Sequence, residues 1–153
     1  MTKILPTEIT FLEGGLATDN RGSVSFVNEF PFTEFKRFYT IKNHIPGFVR
    51  AWHGHQREYK AYFITSGTVV VGAVKVDDWT DPSSDLPVHT QVMSAEKPGI
   101  LFIPGGHANG FMSLTADAQV LLFSNFSLEE SLDDDIRFNS KFWNPWDSFP
   151  LID

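Results

Sequence analysis

Apolar residues along this chain fall in short runs broken by glycine and proline, and in most runs they alternate with polar ones. Period-two alternation marks a strand with one buried face, and a continuous β-branched run marks a strand buried on both. The pattern predicts strands at 23–30, 36–41, 48–52, 59–64, 68–76, 89–93, 99–104 and 118–123. Ser66-Gly67, set between two β-branched and aromatic runs, reads as a hairpin turn. Residues 80–87 hold Asp, Pro and Ser and read as a surface loop. Only 128–138 suggests a short helix or turn, and Asp133-Asp134-Asp135 within it reads as a solvated cap or turn, with the orienting of a histidine as the alternative. Many short, evenly spaced strands predict an all-β sandwich or barrel, whose mouth or interior holds one small ligand.

Composition narrows the picture. A length of 153 residues suits one domain, with a core at about 19–126 and a C-terminal extension at 127–153. The 42% hydrophobic content and 15 phenylalanines suffice for a real core. There is no cysteine, so neither a disulfide framework nor a thiolate metal site can form. That composition, and a start at Met1 with no signal-peptide pattern, lead to the expectation of a cytoplasmic protein. No apolar run spans a bilayer, so no membrane partner is expected. A net charge of −7 provides no general field for nucleic acid. Any phosphate must be held by a few placed arginines or lysines.

The densest chemistry lies in Arg50-Ala51-Trp52-His53-Gly54-His55-Gln56-Arg57-Glu58-Tyr59-Lys60. Two residues apart on a strand, His53 and His55 share a face, where they can bind a metal or move a proton. A second stretch, Phe102-Ile103-Pro104-Gly105-Gly106-His107-Ala108-Asn109-Gly110-Phe111, reads as a tight turn entering another strand and suits a barrel mouth. Trp143-Asn144-Pro145-Trp146 reads as packing, His44 and His89 have no visible partner, and His107 can line the turn.

In their order these motifs resemble the cupin superfamily, and within it the RmlC-like family of sugar-nucleotide isomerases. Asp19-Asn20-Arg21-Gly22, Val49-Arg50-Ala51-Trp52-His53 and Ile103-Pro104-Gly105-Gly106-His107-Ala108-Asn109-Gly110-Phe111 are similar to the corresponding motifs of dTDP-4-dehydrorhamnose 3,5-epimerases. Lys36-Arg37-Phe38-Tyr39, Arg50-Ala51-Trp52-His53-Gly54-His55 and Ile136-Arg137 resemble those of dTDP-4-keto-6-deoxyhexose 3,4-ketoisomerases. The resemblance covers roughly residues 19 to 143.

It implies a cupin-type double-stranded β-helix, a jelly-roll barrel with a short helical or irregular C-terminal segment. It also implies an isomerase, working without cofactor on a nucleotide-linked, dTDP-linked 4-keto-6-deoxyhexose. The 4-keto group acidifies neighbouring C–H bonds; a base takes one proton and a cation or donor steadies the enolate. On this pattern His53 is the base, His55 and Tyr39 supply the acid, and Lys60 or Arg50 steadies the enolate. Arg21, Arg50, Asn109 and Arg137 hold the substrate, and Arg21 comes from a strand that family members lend to a partner, which implies a homodimer.

Three departures separate the chain from the 3,5-epimerases. Phe126 stands where they carry a tyrosine acid, Ser140 where an aspartate orients the histidine, and Asn109 where the turn has a histidine. The pattern therefore points to a ketoisomerase or single-centre epimerase. The competing readings are a non-catalytic sugar- or nucleotide-binding cupin and a metal-dependent cupin enzyme. No metal is expected, because Glu58 follows His55 too soon for the cupin ligand pattern and Asn109 is a poor ligand beside imidazole.

Overall fold

Beside two 3-10 turns, the alternation takes shape as twelve strands and one short α-helix in a computed structural model that describes residues 5–152. In chain order these are β1 (Thr10–Glu13), β2 (Gly15–Asp19), β3 (Gly22–Phe26), β4 (Arg37–Ile41), β5 (Val49–His55), β6 (Lys60–Ser66), β7 (Thr68–Lys75), β8 (His89–Ser94), β9 (Gly99–Ile103), β10 (His107–Ser113), β11 (Gln119–Ser124), α1 (Leu128–Leu132) and β12 (Ile136–Arg137). They form two five-stranded antiparallel sheets, β1-β9-β6-β11-β4 and β12-β5-β10-β7-β8, and a separate β2-β3 hairpin. Alternate residues of both sheets meet inside. Tyr62, Ile64, Leu101, Ile103, Val120 and Leu122 come from the first, and Val69, Val71, Ala73 and Phe111 from the second. This is the jelly-roll sandwich of the cupin type.

Each sheet is also covered on its outer face, which explains why so many strands lack a polar side. Phe30, with Phe35 against it, packs on Phe102 and Ala61 outside the first sheet. Trp143 and Trp146 pack on Trp52, Val70 and Val74 outside the second. The tryptophan pair is thus core, as the sequence suggested, and Trp52 donates its indole N–H to the Phe142 carbonyl at 2.5 Å. Among the described residues no helix is long and apolar enough to cross a membrane.

Several expectations need correction. Ser66-Gly67 does not close a hairpin: β6 pairs with β9 and β11, β7 with β10 and β8, and the chain crosses between sheets at Gly67. A side chain at Gly67 would collide with Thr115 and Asp117, and its φ is +70°, so the corner needs glycine. The strand expected at 23–30 ends at Phe26 and pairs only with β2. The sheets also reach past the expected 19–126 core, because β1 pairs with β9 and β12 with β5. The helix stops at Leu132, opened by a capping box between Ser127 and Glu130, and Ile136 then turns back to pair with Gly54.

One irregularity determines what faces inward. Along β10 and β5, Asn109 pairs with His53 but Phe111 pairs with Arg50, so β5 carries an extra residue there. Strict alternation would put Arg50 and His53 on opposite faces; the bulge brings both inside. Gly110 lies opposite it, and a Cβ there would sit 2.5 Å from the Arg50 carbonyl oxygen and from the Ala51 Cβ. Gly110→Ala is accordingly expected to cost about 1–3 kcal/mol, the usual scale of overpacking, measured by urea denaturation. An unchanged midpoint would show that the bulge tolerates a side chain.

Candidate active site

A cavity of about 320 Å3 opens between the sheets at the end where β5 finishes and β6 begins. One wall is the bulged strand with its neighbours: Arg50, His53 and His55 from β5, Asn109 and Phe111 from β10, and Arg137 from β12. The facing wall is Arg37 and Tyr39 from β4, Lys60 and Tyr62 from β6, and Leu122 from β11. The mouth is built by the 128–135 segment, which contributes Leu128, Ser131, Leu132 and Asp135. Seven of the eight residues singled out from sequence therefore share one cavity: Tyr39, Arg50, His53, His55, Lys60, Asn109 and Arg137. The eighth, Arg21, does not line it. Its side chain is 87% exposed at the tip of the β2-β3 hairpin and forms an ion pair with Asp19 at 2.6 Å.

Four cations line the cavity (Arg37, Arg50, Lys60 and Arg137), against one lining carboxylate, Asp135. Arg137 donates to Asp135 at 3.1 and 3.2 Å, and Arg50 to the Asn43 side chain at 2.7 Å. In a protein of net charge −7 this is a local reversal of sign, suited to an anionic ligand.

The two histidines differ. The His55 Nδ1 lies 2.6 Å from the backbone carbonyl of Asp134, which can only accept, so Nδ1 carries the proton and neutral His55 keeps its lone pair on Nε2. His53 has no side-chain hydrogen bond to another described residue. Its pKa is pushed down to about 4, first by burial and then by the charge of Arg137, with Asp135 working the other way. It is therefore a neutral imidazole at neutral pH, open to a ligand. Ser140 is far from the role suggested for its position: its carbonyl accepts from Trp146. The carboxylate that acts on His53 is Asp135.

On the opposite wall, Lys60 donates to the Tyr39 hydroxyl at 2.7 Å and pairs with Glu58 at 2.9 Å. Tyr62, fully buried, donates to Asn109 at 2.6 Å. Asn109 is thereby held as part of the floor, and its amide reaches the His53 carbonyl at 3.4 Å. Phe126 does not line the cavity; it takes the Arg57 guanidinium over its ring at 5.6 Å.

Asp134 corrects the reading of the acidic run as a solvated cap. It is buried, and its carboxylate accepts from the amides of Gln56, Arg57 and Glu58 at 2.7–2.8 Å. A triple aspartate in sequence cannot reveal which member turns inward. Glu58 was visible only as a poorly spaced metal ligand. Its carboxylate is committed to Lys60, Ser124 and Ser131, and no group of three His, Asp or Glu side chains among the described residues is disposed to hold a metal.

No protein-family model matches this sequence, and neither does any curated protein. Solved structures do share its fold. A 3'-monoepimerase variant from Streptomyces bikiniensis, in complex with dTDP, aligns over 97% of this chain and 81% of its own, with 17% identity and a TM-score of 0.74. A dTDP-4-dehydrorhamnose 3,5-epimerase from Bacillus anthracis, with TDP and pyrophosphate bound, aligns over 96% and 87%, with 20% identity and a TM-score of 0.73. A sugar 3,4-ketoisomerase from Thermoanaerobacterium thermosaccharolyticum, in complex with TDP, aligns over 93% and 96%, with 16% identity and a TM-score of 0.67.

The depressed pKa of His53 has a consequence for stability. Its folded value of about 4 lies below the ordinary 6.5, so the unfolded chain binds this proton more tightly. The contribution of neutral His53 is complete above pH 6.5 and is lost as pH falls towards 4. Between pH 7 and 4.5 this amounts to roughly 2 kcal/mol. Urea denaturation at the two pH values is expected to show a smaller difference in His53→Asn than in the parent. Equal differences would mean that His53 titrates normally.

Proposed function

We propose that the protein is an isomerase of a nucleotide-diphosphate-linked 4-keto-6-deoxyhexose, dTDP-linked, acting at a single centre as a ketoisomerase or epimerase. The observation that carries this reading is the facing arrangement of an open neutral imidazole, His53, and a Tyr39–Lys60 hydrogen-bonded pair across a cavity lined by four cations. The fold shared with ketoisomerases and epimerases that bind TDP or dTDP supports the substrate class.

In this reading the cations hold the diphosphate and lower the energy of the enolate. His53 removes the proton next to the keto group, since only the neutral ring has a lone pair for it. His55, its Nε2 unprotonated when neutral, stands on the same wall as a second proton carrier. Tyr39 and Lys60 reach the ligand from the other sheet, where they can protonate the enolate from the opposite face. The lack of a tyrosine at position 126 then removes no step, because the hydroxyl comes from β4 instead. Asn109 and Arg50 shape the floor and the anion-binding wall.

The test is turnover of TDP-4-keto-6-deoxyglucose in deuterium oxide, followed by NMR. Deuterium is expected at the carbon next to the keto group. His53→Asn is expected to keep the fold and lose turnover by about 10²–10⁴-fold. Absence of exchange in the parent chain, with dTDP still bound, would favour the non-catalytic binding module.

Arg21 fits the reading only in an assembly. Its hairpin exposes Leu16, Val24 and Phe26 as well, an unusual density of apolar groups for a free ribbon. We propose a homodimer in which this hairpin lies against a second copy and Arg21 reaches the partner's bound diphosphate. Arg21→Ala is then expected to raise KM with little change in kcat, because a phosphate contact is kept from ground state to transition state. A fully active monomer by light scattering at micromolar concentration would overturn the arrangement.

A further inference from the structure

Glu58 has no part in the mechanism above, although it is the most completely enclosed charge near the cavity. Its side chain is 0% exposed. One carboxylate oxygen accepts from Ser124 at 2.5 Å and lies 2.9 Å from the Lys60 ammonium; the other accepts from Ser131 at 2.6 Å. Arg37 and His55 stand farther off, each at 3.5 Å. The two serines satisfy lone pairs but carry no charge, so Lys60 is the principal counter-ion. Burial by itself raises the Glu58 carboxyl, but the hydrogen bonds from Lys60, Ser124 and Ser131 outweigh it and hold the group below its ordinary value.

A buried ion pair is a poor stabilising device, since apolar residues of similar volume usually serve as well or better. This pair also has a geometry that packing does not require. The Lys60 ammonium has three protons. One goes to Glu58 and one to the Tyr39 hydroxyl at 2.7 Å. A hydroxyl that accepts from an ammonium must direct its own proton elsewhere, and Tyr39 lines the cavity.

We propose that Glu58 is a positioning residue that pins Lys60 as the cationic half of a Lys60–Tyr39 proton-donating pair. This rests on the isomerase reading. When the enolate collapses, the Tyr39 O–H bond breaks and its proton forms the new C–H bond with the enolate electron pair. The phenolate left behind faces the Lys60 ammonium. It regains a proton through water from the imidazolium of His53, so the cycle closes with no net gain or loss. Glu58 touches no substrate atom; it fixes where the positive charge stands. Ser131, on α1, links that charge to the mouth of the cavity.

The experiment is a double-mutant cycle of Glu58→Gln and Lys60→Met, with a second readout independent of turnover. Glu58→Gln is expected to lower kcat for TDP-4-keto-6-deoxyglucose by about 10–100-fold, with KM within about threefold. In the Lys60→Met background the same change is expected to cost less than about twofold, because Glu58 acts through Lys60. An equal loss in both backgrounds, or a kcat within twofold of the parent, overturns the proposal. Should Glu58→Gln fail to fold, Glu58→Asp replaces it. That variant keeps the charge, shortens its reach, and is expected to lower kcat about 5–10-fold at unchanged KM.

The second readout is NMR of protein labelled with [15N]lysine. The parent is expected to show one slowly exchanging ammonium resonance, assigned by its loss in Lys60→Met and absent from Glu58→Gln or Glu58→Asp. Its persistence in those variants overturns the positioning role even if no sugar nucleotide is turned over. Its disappearance without turnover supports the role and counts against the isomerase reading alone.

Discussion

The site is held together by one carboxylate that meets no ligand. Asp134 gathers the amides of Gln56, Arg57 and Glu58, three successive donors left without strand partners where the chain passes from β5 to β6. Without an acceptor such donors are costly, by about 1–3 kcal/mol for each that water cannot reach. Satisfying them draws the 128–137 segment down over the end of the barrel. The backbone carbonyl of the same residue then fixes the tautomer of His55, and the turn it organises presents Glu58 to Lys60. A single anchoring interaction thus aligns groups on both walls and the mouth between them.

The bulge at β5 makes a complementary contribution from inside the sheet. A regular strand offers a charged site only every second residue, so Arg50 would share the outer face with the tryptophan cluster. The extra residue lets Arg50, His53 and His55 all face the ligand side while Trp52 stays in the apolar layer behind them. Gly110 is what makes the irregularity possible, because the backbone of Arg50 and Ala51 occupies the space of its missing side chain. Strand geometry, more than side-chain identity, decides which cations the cavity contains.

Much of this was legible in the residue pattern. The strand runs and the shared face of His53 and His55 followed from alternation, and the convergence of Tyr39, Lys60 and Arg137 on them was implied by the resemblance of the motifs to sugar-nucleotide isomerases. What stayed hidden depends on contacts distant in sequence. Ser66-Gly67 looks the same whether it closes a hairpin or crosses between sheets, and only the pairing of β6 with β9 and β11 decides. Asp134 is one of three adjacent aspartates, and its burial depends on amides 76 to 78 residues away. The ligation of Glu58 by Ser124 and Ser131 spans 66 and 73 residues, beyond any local signature. Arg21 failed to join the cavity because its hairpin pairs with itself and leaves the sandwich altogether.

The late position of β12 and the tryptophan layer bears on how the chain folds. The sheet that carries His53 is missing an edge strand and an outer cover until residues 136–149 are available, and Asp134 itself emerges shortly before them. Until then Trp52, Val70 and Val74 lack the cover of Trp143 and Trp146, and the three amides at 56–58 lack their acceptor. Pairing between elements this distant in sequence slows folding. The histidine wall is thus complete only when residues 134–146 have joined it, and a chain cut short of Trp143 would leave the apolar outer face of that sheet without its tryptophan cover.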